Sequence, residues 1–411
     1  MSGELHVSGA SLITGARPWG GPAADVRIVD GAIAQILPSG SAPRPGETVV
    51  EGRDRILLPS FADVHVHLDS TRIGLPFRPH TGSPGVWSMM LNDRANWRDA
   101  EATIAERTTE TLGRMIARGT TSARSYAQVD VDAGLERLQG VLAAKEAHAD
   151  RATVEVIAFP QAGLLREEGS FELLEEAMLQ GADVVGGIDP CMLDRDPAKH
   201  LDLVFGLAER FDAPIDIHLH EPDQLARFSA ELIIERTRAL GMTGRVTISH
   251  GYGLGELPRE QLVALLEQFA ELDIAWATIA PAKPLPTLLL AEHGIRLGLG
   301  EDGQRDYWTP YGNADMLDRT WQMAFTNGFR RDEDIEHCVA IATMGGRSVL
   351  GTAPALRGHL DRPGLAVDDP ADLQLIAGET VTSAVMDRLP DRTVLFRGAV
   401  VAEGLELVGA A

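Results

Sequence analysis

The stretch Ile56-Leu57-Leu58-Pro59-Ser60-Phe61-Ala62-Asp63-Val64-His65-Val66-His67 joins an apolar run to two histidines that are separated by one residue. Successive side chains of a β-strand point to opposite faces, so His65 and His67 share a face and can reach one point in space. Imidazoles are common ligands of divalent metals. Two of them do not hold such an ion securely, so this stretch predicts further ligands at the ends of other strands.

Apolar segments alternate with longer amphipathic segments through the middle of the chain, a pattern typical of βα units around a parallel sheet. The eight predicted strands cover residues 56–64, 121–126, 153–159, 184–188, 215–218, 246–250, 274–279 and 296–299. The predicted helices cover residues 104–118, 135–149, 171–180, 201–210, 225–240 and 259–272. Eight such units predict an α/β fold, a (β/α)8 TIM barrel over residues 56–359, whose active site lies at the C-terminal ends of its strands.

The two ends of the chain have a different pattern, with short alternating strands separated by turns. Predicted strands cover residues 5–7, 25–29 and 33–36 near the start and 371–376, 393–396 and 399–401 near the end. The dipeptide Asp30-Gly31 between two of them is a strong hairpin signal. Because both ends have the same character, we expect one small β-sandwich domain formed by residues 1–55 plus 360–411.

The composition is that of an ordinary globular protein, with 44% hydrophobic and 24% charged residues. A formal net charge of -23 repels nucleic acid and anionic membrane surfaces, so neither is an expected partner. The two cysteines, Cys191 and Cys338, form no Cys-x-x-Cys pair, which excludes a disulfide framework. No apolar stretch approaches the roughly 18 residues of a membrane span, and the first residues show no signal-peptide pattern. We therefore expect a cytoplasmic location.

Further ligand-type residues follow the predicted strands. His218 ends the fifth strand, His250 ends the sixth, and Asp302 follows the eighth. Taken singly, a strand-terminal histidine such as His250 is more often a hydrogen-bonded structural residue, and Asp302 beside glycines can be a turn residue. A barrel, however, brings all these strand ends to one face, and such joint placement is hard to obtain by chance. The set predicts a site for Zn²⁺ or Fe²⁺.

The order His65-x-His67, His218, His250, Asp302 resembles the amidohydrolase superfamily. Flanking motifs are similar to those of bacterial cytosine deaminases, and they comprise Phe159-Pro160-Gln161-Ala162-Gly163, residues 181–186, His218-x-x-Glu221, Ser249-His250 and Trp308-x-Pro310-x-Gly312-Asn313-Ala314-Asp315. Gly187-Ile188-Asp189-Pro190 and Arg305-Asp306-Tyr307-Trp308 look closer to N-isopropylammelide isopropylaminohydrolases, which act on an s-triazine ring. The resemblance covers most of residues 50–350.

The resemblance implies one divalent ion, held by His65, His67, His218 and Asp302. In this family pattern the metal lowers the pKa of the water that it binds towards about 7. Glu221 takes the proton of that water and passes it to a ring nitrogen and then to the leaving amine. Asp302 can accept a proton during the attack, and His250 stabilises the developing oxyanion. No lysine stands where a carbamate-bridged pair of metals would need one.

Three side chains are candidates for contact with the substrate. Gln161 offers a donor and an acceptor to an amide-like ring edge, although a solvated loop residue would look the same. Trp308 and Phe159 can enclose a flat heterocycle, with core packing as the alternative for Phe159. Two further residues stay open between readings. His220 can face the pocket or the solvent, and Asp69 can orient a ligand histidine or cap a turn.

The chain departs from these relatives at two places near the predicted site. After Arg124 it has Ser125-Tyr126-Ala127-Gln128 where the relatives have Thr-His-Val-Asp, so the pocket differs at Tyr126 and Gln128. After the aspartate that matches Asp302, cytosine deaminases have a second aspartate that contacts the substrate, whereas this chain has Gly303. Loss of a carboxylate that would pair with a ring N–H or an amine weakens the case for cytosine.

The leading hypothesis is hydrolytic removal of ammonia or a small amine from a cyclic amidine carbon in a cytosine-, pterin- or s-triazine-like heterocycle. One alternative is a cyclic amidohydrolase that opens a ring C–N bond with the same metal. The other is a catalytically silent metal-binding barrel, against which the presence of both a metal shell and the proton shuttle Glu221 argues. The family resemblance alone implies a homo-oligomer.

Overall fold

The computed structural model describes residues 11–356 and 358–409, and the strand predicted at residues 5–7 lies outside them. The strands are β1 (Ser11–Pro18), β2 (Ala24–Val29), β3 (Ala32–Pro38), β4 (Thr48–Glu51), β5 (Ile56–Pro59), β6 (Phe61–His67), β7 (Thr120–Gln128), β8 (Thr153–Phe159), β9 (Val184–Ile188), β10 (Ile215–Leu219), β11 (Val246–His250), β12 (Ala275–Thr278), β13 (Leu297–Leu299), β14 (Asp302–Gly303), β15 (Leu373–Ile376), β16 (Arg392–Phe396), β17 (Ala399–Glu403) and β18 (Glu406–Leu407).

The helices are α1 (Val86–Asn96), α2 (Ile104–Ala117), α3 (Glu136–Ala147), α4 (Ser170–Leu179), α5 (Pro197–Phe211), α6 (Asp223–Ala239), α7 (Tyr252–Gly255), α8 (Arg259–Glu271), α9 (Thr287–Glu292), α10 (Met316–Thr326), α11 (Asp332–Ala340), α12 (Gly346–Val349) and α13 (Val381–Asp387). A π-helical turn, Pro190–Asp194, follows β9. The six helices predicted from the sequence correspond to α2, α3, α4, α5, α6 and α8. Within the residues that the structure describes, no helix is long and apolar enough to cross a membrane.

The central sheet is parallel and runs in chain order from β6 to β13. The chain continues from β13 into β14, and β14 pairs with β6 through Asp302 opposite Val66 and Gly303 opposite His67. The sheet therefore closes on itself, with the helices between successive strands. This is the predicted (β/α)8 barrel, whose C-terminal strand ends carry the candidate site.

The first predicted strand, residues 56–64, is wrong in one respect, because the chain changes sheet within it. β5 pairs with β1 and β15 in the terminal sheet, whereas β6 begins the barrel at Phe61. Pro59 ends β5, and proline has no N–H with which to continue a ladder. Ser60 is fully buried at the crossing, where its hydroxyl accepts a hydrogen bond of 2.7 Å from Arg347.

Strands from both ends of the chain form the second sheet, in the order β18-β17-β16-β15-β5-β1-β2-β3, with β4 paired to β1. Its two halves share a buried apolar cluster that includes Ile13, Val26, Ile28, Ile33, Leu57, Leu373, Leu375 and Leu395. The predicted fold class, a barrel with a small β unit built from both termini, is confirmed. The domain limits 1–55, 56–359 and 360–411 stay a prediction, and β5 crosses the first of these boundaries into the terminal sheet.

Helix α2 shows why the predicted helices form where they do. Its N-terminus carries a capping box, in which Thr103 and Glu106 satisfy each other's backbone N–H groups. Its buried side chains, among them Leu112 and Ile116, join the same apolar core as Val66 of β6. The helix packs on the outside of the barrel against β7 and against the turn Leu68–Ser70 that directly follows the histidine pair.

A buried histidine on α11 makes the fold sensitive to acid. His337 is 2% exposed, and neither of its ring nitrogens has a hydrogen-bond partner within residues 11–356 and 358–409. Burial, with a further contribution from the charge of Arg362, lowers the pKa of His337 from 6.5 to about 4. The unfolded chain therefore takes up this proton first, and the free energy of unfolding falls as the pH drops from 6.5 towards about 4.

We expect the substitution His337→Leu to remove this part of the acid sensitivity. The free energy of unfolding of the variant minus that of the parent should be about 2 kcal/mol larger at about pH 5 than at about pH 7. Urea unfolding of both proteins at the two pH values measures the change. Curves that fall in parallel with pH would contradict the assignment.

Candidate active site

Five side chains from four strand passages meet at the C-terminal end of the barrel. They are His65 and His67 of β6, His218 of β10, His250 of β11 and Asp302 of β14. The ligand-type atoms of His65, His67 and His218 lie within 4.8 Å of one another, and so do those of His65, His250 and Asp302. The structure thus brings together every residue of the predicted metal site, and their role as ligands stays a prediction.

The spacing of these atoms fits a metal ion. His67 Nε2 lies 3.4 Å from His218 Nε2 and 3.4 Å from Asp302 Oδ1, and His65 Nε2 lies 3.6 Å from the same carboxylate oxygen. In a tetrahedral site with metal–ligand distances of about 2.1 Å, the ligand atoms are about 3.4 Å apart. His65 Nε2 is buried and has no hydrogen-bond partner among the described residues. Such an orphaned nitrogen among other donors is what a metal would satisfy.

The charge states of the cluster also suit a divalent cation. Burial lowers the pKa of His67 to about 4 and holds the pKa of His218 and of His250 well below the usual value. Burial acts to raise the pKa of Asp302, but the surrounding imidazoles, His65 first, hold it well below its usual range. Neutral imidazoles and an ionised carboxylate are the forms in which these side chains bind metals.

Two of the five residues depend on unusual backbone conformations. Thr247 and Ser249 of β11 contact interior side chains of the barrel, so plain alternation would turn His250 away from them. His250 instead has a φ of 65°, and its ring centroid lies 4.6 Å from that of His65. Asp302 has a φ of 62°. Left-handed non-glycine residues are uncommon and cluster at functional sites.

Tyr126 lies against the cluster from inside the barrel, with its ring centroid 4.4 Å from those of His65 and His218. Burial and the charge of Asp216 raise the pKa of Tyr126 well above its usual value, so the phenol is protonated at neutral pH. Its hydroxyl lies 2.9 Å from Asp216 and 2.8 Å from Ser249. The sequence prediction missed both partners, although Asp216 stands two residues before His218 and so shares its face of β10.

Glu221, the predicted proton shuttle, is fully buried beside β9. Its Oε1 accepts hydrogen bonds from the backbone N–H groups of Cys191 at 2.6 Å and Met192 at 2.9 Å, and its Oε2 accepts one of 2.5 Å from the Ser229 hydroxyl. Burial raises the pKa of Glu221, and these donors oppose the rise. The carboxylate is therefore held in a fixed position by the turn after β9 and by α6.

His220 lies beside the cluster and is also exposed to solvent, so both of the open alternatives describe it. Its ring centroid lies 4.3 Å from that of His250 and 5.6 Å from that of His218. Asp189 holds it in place, since one carboxylate oxygen lies 2.9 Å from His220 Nδ1 and the other accepts the His220 N–H at 2.6 Å. Burial opposes the shift, but Asp189 raises the pKa of His220. The sequence prediction missed this partner, whose signal is the Gly187-Ile188-Asp189-Pro190 motif after the fourth strand.

The predicted substrate contacts lie in different surroundings. Phe159 is fully buried and packs on the ligand side chains, with its ring centroid 4.2 Å from that of His218. Gln161 is 6% exposed in the turn after β8. The Trp308 side chain is half-buried, and the backbone N–H of this residue donates a hydrogen bond of 2.8 Å to the Asp306 carboxylate. Contact of these three side chains with a substrate stays a prediction.

Asp69 is tied to the neighbouring strand. Its carboxylate accepts the backbone N–H of Gln128 at the end of β7, at 2.9 Å. The side chain of Gln128, one of the departures from the relatives, donates to Asp130 at 2.6 Å. Asp69 therefore fixes the end of β7 beside the histidine pair.

Close packing around position 303 leaves no room for a side chain larger than that of glycine. A Cβ at this position would lie 2.6 Å from Asp306 Oδ2 and 2.9 Å from Thr309 Cγ2. Asp306 Oδ2 also accepts a hydrogen bond of 2.7 Å from Ser70. The Asp306 carboxylate thus fills the space that a side chain at 303 would enter. A cavity of about 600 Å³ borders Gly303 and Asp302.

Fold and site together define a class, the (β/α)8 hydrolases with a histidine-rich candidate metal site at the C-terminal mouth. The chain belongs to the amidohydrolase family, because the sequence model of that family matches residues 85–402. It is accordingly a hydrolytic enzyme that acts on C–N bonds.

The chain is similar to three proteins with named functions. The crystal structure of N-isopropylammelide isopropylaminohydrolase from Burkholderia multivorans ATCC 17616 is 37% identical, covers 97% of this chain and 100% of its own, and superposes with a TM-score of 0.90. The pterin deaminase of Rhizobium rhizogenes is 26% identical over 93% of this chain and 88% of its own length. The 5-methylcytosine deaminase of Klebsiella pneumoniae, 24% identical over 95% of this chain and 97% of its own, shares the fold with a TM-score of 0.79. The resemblance read from the motifs is confirmed.

Proposed function

We propose that the protein hydrolyses the exocyclic C–N bond at an amidine carbon of a small planar nitrogen heterocycle and releases ammonia or a small amine. The observation that carries this proposal is the convergence of three histidines and an aspartate at the barrel mouth. Its support from relatives is the 37% identity to an enzyme named for amine removal from N-isopropylammelide. In this proposal one Zn²⁺ or Fe²⁺ ion is held by His65, His67, His218 and Asp302.

The residues around the cluster have separate tasks in the proposed reaction. A divalent ion in this site would lower the pKa of a water to about 7 and so supply a nucleophile at neutral pH. His250, whose ring lies against those of His65 and His220, donates a hydrogen bond to the oxygen of the attacking water, on which charge develops as its proton leaves. Asp302 holds a proton at its carboxylate during the attack.

Glu221 carries the first proton of the attacking water to the ring nitrogen. The second proton, which Asp302 takes as the new C–O bond becomes C=O, goes to the amine as its C–N bond breaks. A carboxylate offers about four acceptor positions, so the three hydrogen bonds that Glu221 accepts leave one for the proton in transit. Its raised pKa brings the carboxyl group closer to neutral pH, where a general acid–base group works best.

Aminated s-triazines are the first substrates to test, since the relative with 37% identity is named for one. Pterins come second, because the Rhizobium enzyme is named for them. Cytosine is disfavoured, because Gly303 supplies no carboxylate and packs against Asp306.

The test is a substrate screen on protein reconstituted with Zn²⁺ or Fe²⁺. Ammonia and alkylamine release are measured, and the product mass is determined. We expect exchange of an amino group for a hydroxyl. A product that has gained a whole water without release of an amine would identify a ring-opening cyclic amidohydrolase. Protein that takes up no metal would identify a catalytically silent barrel.

The net charge of the protein also supports a small molecule as its partner. The net charge of -23 disfavours nucleic acid and anionic membranes. We propose that the enzyme acts on free heterocycles in the cytoplasm, as a homo-oligomer. Sedimentation of the purified protein measures the subunit count, and a monomer would contradict the last point.

A further inference from the structure

The Tyr126 hydroxyl stands at the centre of a buried hydrogen-bond network beneath the metal cluster. It lies 3.0 Å from His65 Nδ1, 2.9 Å from Asp216 Oδ1 and 2.8 Å from Ser249 Oγ. All four residues are fully buried. The network contacts the ring nitrogen of His65 that faces away from the other cluster residues.

A count of protons determines the direction of these bonds. Ser249 donates its own proton to Asp216 Oδ1, at 2.7 Å, and Asp216 Oδ2 accepts from Arg124 at 3.3 Å. Asp216 is therefore an acceptor for all its neighbours. Because the Ser249 proton is used on Asp216, the single phenol proton of Tyr126 goes either to Asp216 or to the Ser249 oxygen, which lie 2.9 Å and 2.8 Å away. This leaves the Tyr126 oxygen as an acceptor towards His65.

The orphaned nitrogen of His65 agrees with this direction. If Tyr126 donated to Nδ1 instead, the ring proton would sit on Nε2, which has no hydrogen-bond partner in the described part of the chain and is 3.6 Å from Asp302. A buried N–H without an acceptor is costly. With the proton on Nδ1, Nε2 presents a lone pair to the cluster.

We propose that Tyr126 is a positioning residue that links Asp216 to His65 by hydrogen bonds and fixes this histidine in the tautomer whose Nε2 can bind a metal. The inference rests on the proposed function in that His65 is taken as a ligand. Metal-binding histidines commonly donate their second N–H to a carboxylate directly. Here a tyrosine stands between them, at the position where relatives of the family have a histidine.

The same network connects two of the candidate ligands. Asp216 stands on β10 two residues before His218, and Tyr126 packs on the rings of both His65 and His218. Arg124, which also contacts Glu155 at 2.8 Å and Thr247 at 3.1 Å, lies 3.3 Å from Asp216 Oδ2 and holds this carboxylate in place inside the barrel. The departure at Tyr126 therefore concerns the support of the metal site more than the shape of the pocket.

The test measures the tautomer directly, in metal-free protein. Histidine labelled with ¹⁵N reports which ring nitrogen is protonated, and the spectrum of His65→Asn assigns the signal of His65 among the 12 histidines. We expect the parent protein to show His65 protonated at Nδ1. Tyr126→Phe should lose this preference and bind Zn²⁺ about 10- to 100-fold more weakly. Thr247→Val is the matched control, because it removes a hydroxyl from the same network without touching His65.

Two results would overturn the proposal. The first is a parent protein with His65 protonated at Nε2, a result that does not depend on the folding of any variant. The second is a folded Tyr126→Phe protein with the tautomer and zinc affinity of the parent. If His65 is protonated at Nδ1 but the protein releases no amine, the proposed function is contradicted and the role of Tyr126 is not. Failure of the proposed function can therefore be distinguished from failure of this inference.

Discussion

Replacement of His67 by alanine is expected to abolish metal binding and amine release. His67 Nε2 lies 3.4 Å from both His218 Nε2 and Asp302 Oδ1, so it belongs to the centre of the proposed ligand set. Removal of a group that only orients a ligand costs about 10- to 100-fold in metal affinity, and loss of the ligand itself should cost at least about 100-fold. Elemental analysis of the dialysed variant, together with an assay of amine release, measures both effects.

His293→Ala is the control for this experiment. His293 follows α9 and is half-buried, and the structure places it in neither metal cluster. The control variant should keep the metal content and activity of the parent. A His67→Ala protein with the parent's metal content would remove His67 from the ligand set and leave the proposed geometry without one of its four members.

Replacement of Glu221 by glutamine is expected to keep the metal and to lower kcat by a factor on the order of 10² to 10⁴. Glutamine has the same shape, and its carbonyl can still accept the N–H groups of Cys191 and Met192. Its amide can donate to the Ser229 oxygen, so the local structure should persist. What the variant loses is a group that can take up and return a proton.

Glu267→Gln is the matched control, because Glu267 is exposed on α8, away from the barrel mouth. It should leave kcat unchanged. Near-full amine release by the Glu221→Gln protein would show that another group moves the proton. His220 would then be the next to test, since its ring centroid lies 4.3 Å from that of His250 and Asp189 holds it in place.

The side chains whose convergence could be predicted from the sequence are those that regular strand geometry controls. His65 and His67 share a face of β6 because side chains alternate along a strand. His218 reaches the same point because parallel strands of a closed barrel end on one face. For the same reason, the eight strand passages could be counted from apolar runs, with one error where the chain changes sheet at Ser60.

The parts that sequence could not predict depend on single backbone angles and on contacts between distant segments. Alternation places His250 on the wrong face of β11, and only its φ of 65° turns the ring into the cluster. The three donors to Glu221 come from the turn after β9 and from α6. Asp189 is 31 residues from His220. No periodic pattern in the chain encodes such pairs.

The sequence by itself determined the barrel, the terminal β unit and the strand ends at which His65, His67 and His218 lie, because these follow from the periodicity of apolar residues along the chain. Only the tertiary structure decided how the residues of the site are held: that Asp189 holds His220, which donors hold Glu221, and that Tyr126 joins Asp216 to His65. The physical reason is that a strand's period sets the face on which a side chain lies, whereas hydrogen-bond partners are chosen by the packing of strands far apart in sequence.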